Sequence, residues 1–149
     1  DLLDTRKTLP GLRYEQKYAT RVAGVKNHRF NLSDGLMLKD NHLKALNGIK
    51  AITYRHKNSK KFFFEIEVEK LSEIEPALLL KPNILMFDNF SLKQIEKGIK
   101  IVNKRAKIEI SGLKSEKELK KLSHLKIDFI SMGDLTKNIK AIDFSLNVI

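Results

Sequence analysis

Short apolar runs alternate with stretches of helical periodicity along this chain, and this alternation limits its possible folds more than any other feature. Each apolar run is a few residues long and is followed by polar residues, as expected of a buried strand that leads into a loop. Strands that alternate with helices form a parallel sheet, so the predicted class is α/β. The predicted strands are residues 2–3, 36–38, 62–69, 84–87, 107–110, 129–131 and 141–148, and the predicted helices are residues 10–23, 41–47, 49–58, 71–80, 92–104 and 116–125.

Two of these segments also predict which side chains are buried. In strand 62–69, alternation places Glu65, Glu67 and Glu69 on one face, so that face must be polar. In the first helix, an approximately helical apolar stripe is expected to be the buried face. That stripe consists of Leu12, Tyr18, Ala19 and Val22.

Charged and small polar residues recur at the carboxyl ends of the predicted strands. In α/β folds this end of the sheet binds ligands. A guanidinium group beside an ammonium group suits a ligand with several carboxylates or phosphates. Any one of these residues alone would be read as a surface ion pair or a turn glycine, but their convergence on one rim predicts a site. They are Arg6-Lys7, Lys39, Glu67 with Glu69, Asp88, Ser111-Gly112 and Gly133.

The first forty-two residues carry a series of motifs that together resemble a known family. In this order and at these intervals they resemble quinolinate phosphoribosyltransferase, also called nicotinate-nucleotide pyrophosphorylase (carboxylating), and the similarity continues to the carboxyl terminus. The resemblance implies an incomplete or open TIM-like α/β barrel with parallel strands. The motifs are Asp-Thr-Arg-Lys-Thr (4–8), Pro-Gly-Leu-Arg (10–13), Lys-Tyr-Ala (17–19), Asn-His-Arg (27–29) and Leu-Lys-Asp-Asn-His (38–42).

The resemblance assigns the basic residues to substrate recognition. It implies that Arg6 and Lys7 bind the pyridine carboxylates and phosphoribosyl diphosphate, that His28 and Arg29 bind the quinolinate carboxylates, and that Lys39 is the next substrate contact. The implied reaction is a pentosyl transfer of de novo NAD biosynthesis, which gives nicotinate mononucleotide, carbon dioxide and diphosphate. Two further motif residues, Arg13 and His42, are expected to support the site.

Two carboxylates at strand ends are candidate ligands of a magnesium ion. Mg²⁺ prefers oxygen donors and is commonly held through one or two carboxylates and substrate phosphates. Glu67 and Asp88 fit that need, although pairing with neighbouring lysines is the alternative for both. With Lys7, they are the predicted catalytic residues. Glu69 also matches the family pattern, whereas Glu65 is taken as additional.

Glycine after a strand lets backbone N–H groups approach a phosphate closely. By resemblance, Ser111, Gly112 and Gly133 hold the 5-phosphate of the ribose. The chain departs from the family pattern near these loops. The departures are Ala23-Gly24-Val25 in place of a glycine run, Leu113 in place of a second glycine, and Thr136-Lys137 in place of Thr-His.

The length of 149 residues is short for a complete (β/α)8 barrel, which typically needs about 250 residues. Residues 1–149 are therefore interpreted as a carboxyl-terminal catalytic barrel domain, without the amino-terminal α/β domain and first barrel elements of the family. The family forms homodimers in which the amino-terminal domain of one subunit covers the partner's barrel and supplies an arginine. By itself this chain is expected to be weakly active or inactive.

A net charge of +11 favours anionic partners, and nucleic acid is one alternative. The aromatic residues show no stacking stripe, and the lysines of the second half are expected to be solvated helix faces, so neither nucleic acid nor a membrane is the predicted partner. The absence of cysteine and of a long apolar run fits a cytoplasmic protein. Two alternatives stay open: a paralogous phosphoribosyltransferase with another substrate, and a non-catalytic barrel fragment.

Overall fold

The protein contains one parallel sheet, as seen in a computed structural model that describes residues 1–49, 63–113 and 115–148. Its strands are β1 (Leu2–Leu3), β2 (Leu36–Leu38), β3 (Phe64–Val68), β4 (Ile84–Asp88), β5 (Lys107–Ser111) and β6 (Phe129–Ser131). They lie side by side in the order β1-β6-β5-β4-β3-β2. The predicted α/β class and these predicted strands are confirmed, with small shifts at the strand ends.

Helices follow the strands, as the βα pattern predicts. They are α1 (Arg13–Val22), α2 (Asp40–Ala45), α3 (Ile74–Leu79), α4 (Leu92–Val102), α5 (Glu116–Leu122) and α6 (Asp134–Lys137). The predicted helix at residues 49–58 falls almost entirely outside the described residues. None of the helices in the described ranges is long and apolar enough to cross a membrane.

The outer face of the sheet packs against helices and forms the hydrophobic core. Ile66 on β3, Phe87 on β4 and Ile110 on β5 are fully buried. They pack with Ile74 of α3 and Ile95 of α4, whose side chains are also buried. This side of the sheet therefore supplies the stability that positions the strand ends.

The inner face of the sheet is polar and yet buried. Strand register places Glu67 beside Met86 and Met86 beside Glu109, so these residues point to the same side. Glu65 and Glu109 have no exposed surface, and Ser131 has 4%. The predicted polar face of β3 is confirmed. Closure of a sheet into a barrel explains why a polar face is shielded from water.

A segment after α1 extends the sheet beyond β1 and leads towards β2. The Lys26 N–H donates to the Leu2 carbonyl, and the Asp4 N–H donates to the Lys26 carbonyl, both at 3.0 Å. Farther along, the Arg29 guanidinium donates to the carbonyl of Gly35, immediately before β2. The segment thus spans the gap between the two edge strands, and the sheet forms an open barrel.

The apolar stripe predicted for α1 is not its buried face. Tyr18 and Val22 are 53% and 69% exposed, whereas Gln16, Lys17 and Thr20 are buried. The physical reason is that α1 packs over the buried Asp4 carboxylate, which needs hydrogen-bond donors from the helix.

The strand predicted at residues 141–148 is also wrong. These residues have no regular secondary structure and are exposed. A strand needs a partner edge for its backbone hydrogen bonds, and none of the described strands pairs with this segment.

Candidate active site

A cavity of about 300 Å³ lies on the inner side of the sheet, at the carboxyl ends of the strands. It brings together the residues predicted to recognise substrate carboxylates, which are Arg6, Lys7, His28, Arg29 and Lys39, and it also includes Ser111. The remaining lining residues are Asp4, Thr5, Met37, Met86, Glu109 and Ser131.

Asp4 joins the two basic segments that border this cavity. Its carboxylate is fully buried and forms an ion pair with the buried Lys17 of α1 at 2.5 Å. The other carboxylate oxygen accepts from the Thr20 hydroxyl at 2.8 Å and from the Asn27 amide at 2.6 Å. The backbone N–H of His28 donates to Asp4 at 2.8 Å. One carboxylate therefore fixes the end of β1, the helix α1 and the segment that carries His28.

Hydrogen bonds from α1 and α6 also hold the loop that follows β1. The Thr136 hydroxyl donates to the Lys7 carbonyl at 2.7 Å. Gln16 accepts from the Leu9 N–H at 2.9 Å and donates to the Thr136 carbonyl at the same distance. These bonds hold the backbone that carries Arg6 and Lys7 without occupying their charged groups.

Arg13 and His42 contact loop backbone and do not line the cavity. Arg13 donates to the carbonyl of Arg6 and to the hydroxyl of Thr8, both at 3.2 Å. His42 Nδ1 accepts from the backbone N–H of Lys39 at 3.1 Å. The supporting roles of these two residues stay a prediction.

A histidine and two glutamates meet at the floor of the cavity. His28 Nε2 lies 2.8 Å from a Glu65 carboxylate oxygen and 3.6 Å from a Glu109 oxygen. Burial raises the pKa of Glu109 to about 7, and the Glu65 charge adds to this, whereas His28, Ser131 and Lys39 oppose it. Burial alone would lower the pKa of His28, but the Glu65 hydrogen bond and the two glutamate charges outweigh it, so the pKa is raised.

Arg29 and Arg6 influence each other across the cavity. Burial and then the charge of Arg6 lower the pKa of Arg29, although Glu65 and Asp34 act in the opposite direction. The Arg6 Nε atom is buried and has no hydrogen-bond partner within the described ranges. Two guanidinium groups that repel each other favour an anion between them.

The two predicted metal carboxylates do not line this cavity. Glu67 forms an ion pair with Lys39 at 2.5 Å and faces a neighbouring cavity of about 350 Å³. Asp88 accepts from the Asn89 amide at 2.7 Å. Strand register nevertheless places Glu67 and Asp88 on the same face of β3 and β4, because Glu67 pairs with Met86 and Asp88 follows two residues later.

Of the predicted phosphate-binding glycines, Gly112 is required by geometry and Gly133 is not. Gly112 has φ +86°, and a side-chain carbon there would lie 2.3 Å from the Asn89 side-chain oxygen. Gly133 has φ −67°, and the nearest atoms to an added carbon are 3.6 Å away. Those atoms belong to Lys7 and Lys137, so cationic side chains adjoin this turn.

Sequence reasoning missed the buried polar residues beneath the cavity. Asp4 belongs to the Asp-Thr-Arg-Lys-Thr motif but has no predicted role, and Glu65 is predicted to be additional although it contacts His28. One sequence feature could have indicated that Glu109 is buried, since it is an acid between Ile108 and Ile110 in a predicted strand. Lys17 belongs to the Lys-Tyr-Ala motif, but its burial was not predicted, because a lysine in a helix is normally exposed.

Comparison with known proteins identifies a family across nearly the whole chain. Residues 1–147 match the family model described as quinolinate phosphoribosyl transferase, C-terminal domain. A probable nicotinate-nucleotide pyrophosphorylase (carboxylating) of Methanocaldococcus jannaschii is 39% identical over 154 residues, which cover 97% of this chain and 54% of the relative. The corresponding probable enzyme of Bacillus subtilis is 34% identical, with 99% of this chain and 52% of the relative covered. The chain thus spans about half the length of these curated relatives.

Solved structures show the same architecture. NadC from Streptococcus pyogenes superposes with a TM-score of 0.88 at 44% identity, over 99% of this chain and 53% of that one. The nicotinate-nucleotide pyrophosphorylase from Francisella tularensis superposes with a TM-score of 0.86 at 41% identity, over 96% of this chain and 51% of that one. This chain therefore belongs to the quinolinate phosphoribosyltransferase family.

Proposed function

We propose that this chain forms the catalytic barrel of a quinolinate phosphoribosyltransferase, a pentosyltransferase of de novo NAD biosynthesis. The enzyme transfers the phosphoribosyl group of phosphoribosyl diphosphate to the pyridine nitrogen of quinolinate. The products are nicotinate mononucleotide, carbon dioxide and diphosphate. The observation that carries this proposal is the convergence of Arg6, Lys7, His28, Arg29 and Lys39 on one cavity.

Quinolinate carries two adjacent carboxylates, and the cavity offers several separate donors for them. Arg6 and Arg29 repel each other in the free protein, so a bound carboxylate relieves that repulsion. His28 uses Nε2 for Glu65, which leaves Nδ1 for the ligand. Charge-assisted hydrogen bonds of this kind are roughly twice as strong as neutral ones.

The phosphoribosyl group is held by the loops that follow β5 and β6. Ser111, Gly112 and Gly133 offer a hydroxyl group and backbone N–H groups to the 5-phosphate, and the close approach at Gly112 admits no side chain. Lys7 contributes a positive charge beside Gly133. Lys39 lines the cavity and also forms an ion pair with Glu67, so the diphosphate competes with Glu67 for its ammonium group.

Glu67 and Asp88 are the residues that would hold Mg²⁺, because both are carboxylates and both lie on the same face of neighbouring strands. When bound, Mg²⁺ neutralises charge on the departing diphosphate. The Glu67 carboxylate also favours the positive charge that develops at the ribose C1′.

The reaction needs orientation and charge stabilisation but no nucleophilic side chain. The lone pair of the pyridine nitrogen forms the new bond to C1′, and the bond from C1′ to the diphosphate oxygen breaks with its electron pair on diphosphate. The bond between C2 and its carboxylate then breaks and releases carbon dioxide. The electron pair left on C2 is stabilised by the adjacent ring cation and takes a proton from water.

Assembly is the second part of this proposal. The complete protein is a cytoplasmic homodimer in which the amino-terminal domain of one subunit covers the partner's barrel and supplies an arginine. The relatives are long enough to carry such an amino-terminal domain, since this chain matches the C-terminal domain of the family and spans about half of their length. A barrel without that cover leaves its anion site open to water, which weakens each charge interaction.

The proposal is tested by measuring quinolinate-dependent release of carbon dioxide and diphosphate with phosphoribosyl diphosphate and Mg²⁺. The assay compares this chain alone with the chain joined to the remaining half found in its relatives. Activity in the joined sample only is the expected result. Release of carbon dioxide with quinolinate but not with nicotinate excludes the paralogous reactions. If both samples are folded and neither releases carbon dioxide or diphosphate, the proposal is contradicted.

Replacing one cavity cation tests the site itself. Arg6→Ala in the joined protein is expected to lower kcat/KM by about 30- to 1,000-fold, which corresponds to roughly 2–4 kcal/mol for loss of a charge-assisted contact. Arg21→Ala on the exposed surface of α1 is the matched control and keeps full activity. Undiminished activity of the Arg6 variant would place the site elsewhere.

A further inference from the structure

Two loops at the carboxyl ends of the strands lie against each other, although they serve different parts of the proposed substrates. One follows β1 and carries Arg6 and Lys7, and the other is the turn after β6 that contains Gly133. They are neighbours because β1 pairs with β6, with Leu3 beside Ser131. The Lys7 side chain reaches the turn, since its Cδ would lie 3.6 Å from a side-chain carbon at Gly133. The position of the turn therefore bears on the position of Lys7.

The backbone of the loop after β1 is attached to α6 through a buried hydroxyl group. Thr136 has no exposed surface, and its Oγ1 lies 2.7 Å from the Lys7 carbonyl oxygen and 3.3 Å from that of Gly133. A hydroxyl group has one proton to donate, so the shorter contact is the hydrogen bond and Lys7 is its acceptor. Such a bond is stronger when it is shielded from water. Lys7 thus contacts the β6 side of the sheet through its main chain as well as its side chain.

Gln16 of α1 extends this link to the far end of the loop. Its side chain is buried and uses both ends of the amide group. Oε1 accepts from the Leu9 N–H and Nε2 donates to the Thr136 carbonyl, each at 2.9 Å. Thr136 takes part with both its hydroxyl group and its carbonyl oxygen. The two residues therefore form one continuous connection between α6 and the loop after β1, which we call the Gln16–Thr136 connection.

The Gln16–Thr136 connection contains no charged group. It consists of a hydroxyl group, an amide group and main-chain groups, so the ammonium and guanidinium groups of the loop take no part in it. Arg13 holds the same loop from α1, through the Arg6 carbonyl at 3.2 Å, and does not reach α6. The link between the two loops consequently depends on Gln16 and Thr136.

We propose that Gln16 and Thr136 are positioning residues that couple the binding of the two substrates. A phosphate group bound at the Gly133 turn fixes α6, and the connection transmits this order to the loop that carries Arg6 and Lys7. The loop is then already ordered when quinolinate binds, so less conformational entropy is lost in that step. The coupling is reciprocal, because each ligand changes the affinity for the other by the same factor. This inference rests on the proposed function, which names the two substrates.

Coupling is measured by calorimetry on the chain joined to the remaining half found in its relatives. The probe for the carboxylate subsite is phthalate, which has the two adjacent carboxylates of quinolinate but lacks the ring nitrogen that accepts the phosphoribosyl group. In the parent protein, phosphoribosyl diphosphate with Mg²⁺ is expected to raise the phthalate affinity by about 5- to 150-fold, the usual range for coupled sites. No increase in the parent protein would overturn the inference.

The Thr136 hydroxyl group is tested by a pair of substitutions. Thr136→Val removes the donor and is expected to reduce the increase in phthalate affinity to less than about threefold, whereas Thr136→Ser keeps the donor and should behave as the parent. In the reaction, Thr136→Val should raise the KM for quinolinate at saturating phosphoribosyl diphosphate and keep kcat within about threefold, because binding rather than the chemical step is affected. Full coupling in the folded valine variant would contradict the role of the hydroxyl group.

Gln16 is tested separately, so that a valine variant that does not fold leaves the inference open to refutation. Gln16→Met keeps the length of the side chain, removes the amide group and should lose coupling to the same extent. Combining it with Thr136→Val should cause little further loss, because both residues belong to one connection. Val102→Ala, a buried change at the end of α4, is the control for reduced stability and should keep full coupling. Equal loss of coupling in the control would show a merely structural effect and overturn the positioning role.

Amide hydrogen exchange of the ligand-free protein tests the connection independently of the proposed substrates. The Leu9 N–H donates to Gln16, so its exchange should be at least about tenfold faster in Gln16→Met than in the parent. Unchanged exchange would refute the connection. If both ligands bind to the parent without coupling, the inference is wrong while the proposed function stands. If neither ligand binds although exchange responds as expected, the proposed function is wrong, and the coupling of its substrates falls with it.

Discussion

Asp4 shows how a charged residue becomes part of a folded interior. Its carboxylate is fully buried, yet it accepts hydrogen bonds from Lys17, Thr20, Asn27 and the backbone of His28. Such complete pairing offsets the cost of removing the charge from water, and loss of one partner would not. The residue therefore matters to the site although it needs no contact with a ligand.

Asp4→Asn is expected to destabilise the protein by roughly 3–5 kcal/mol, because it leaves the buried Lys17 ammonium without its counter-charge. Denaturant unfolding at neutral pH measures the loss. The control is Asp1→Asn, which removes a surface ion pair with Lys26 and should change stability by less than about 1 kcal/mol. Equal effects of the two changes would contradict the argument.

The buried Glu109 carboxyl is expected to make the stability of the protein depend on pH. Its pKa in the folded state is raised from 4.5 to about 7, so between these values the unfolded chain releases a proton that the folded chain keeps. Stability contributed by this group is complete below pH 4.5 and is lost as pH rises through 7, by up to about 3 kcal/mol. Relative to the parent, Glu109→Gln should gain stability over this range. A constant difference from pH 4.5 to 8 would show that the carboxyl is not perturbed.

At the scale of single elements, α1 and β3 differ in how well the sequence predicts them. The alternating glutamates of β3 predicted a polar face, and the strand has one. The stripe of α1 predicted the wrong buried face, because periodicity assumes that a helix packs on an apolar surface. Here the surface beneath the helix is the Asp4 carboxylate, so Lys17 and Thr20 face inwards.

The packing of α4 against β4 depends on a glycine in the middle of the helix. A side-chain carbon at Gly98 would lie 2.7 Å from the ring of Phe87. Gly98→Ala should therefore destabilise the protein by about 1–3 kcal/mol, although alanine improves helix propensity by about 1 kcal/mol. The exposed neighbouring change Lys97→Ala is the control and should be nearly neutral in thermal unfolding. A stabilised Gly98 variant would mean that α4 can move away from the sheet.

For the molecule as a whole, the high positive charge has two components. Many lysines of the second half, such as Lys93, Lys97, Lys100 and Lys117, are exposed, as predicted for solvated helix faces. The cations of the first part instead surround the cavity. Motifs and strand ends were sufficient to bring the basic residues to one place. They were not sufficient to predict that Asp4, Glu65 and Glu109 are buried, because burial of a polar residue depends on how the sheet curves.

The order of strands in the sheet has a consequence for how the protein folds. β1 and β2 are neighbours along the chain but lie at opposite edges, and β1 pairs with β6, so that Leu3 meets Ser131. Contacts between residues so distant in sequence form late, because closing the intervening loop costs entropy. A nascent chain that has not yet released β6 lacks the strand that pairs with β1 inside the sheet, although the Lys26 segment can already pair with its other side. Synthesis of the last strand thus completes the surroundings of β1, whose carboxyl end carries Arg6 and Lys7.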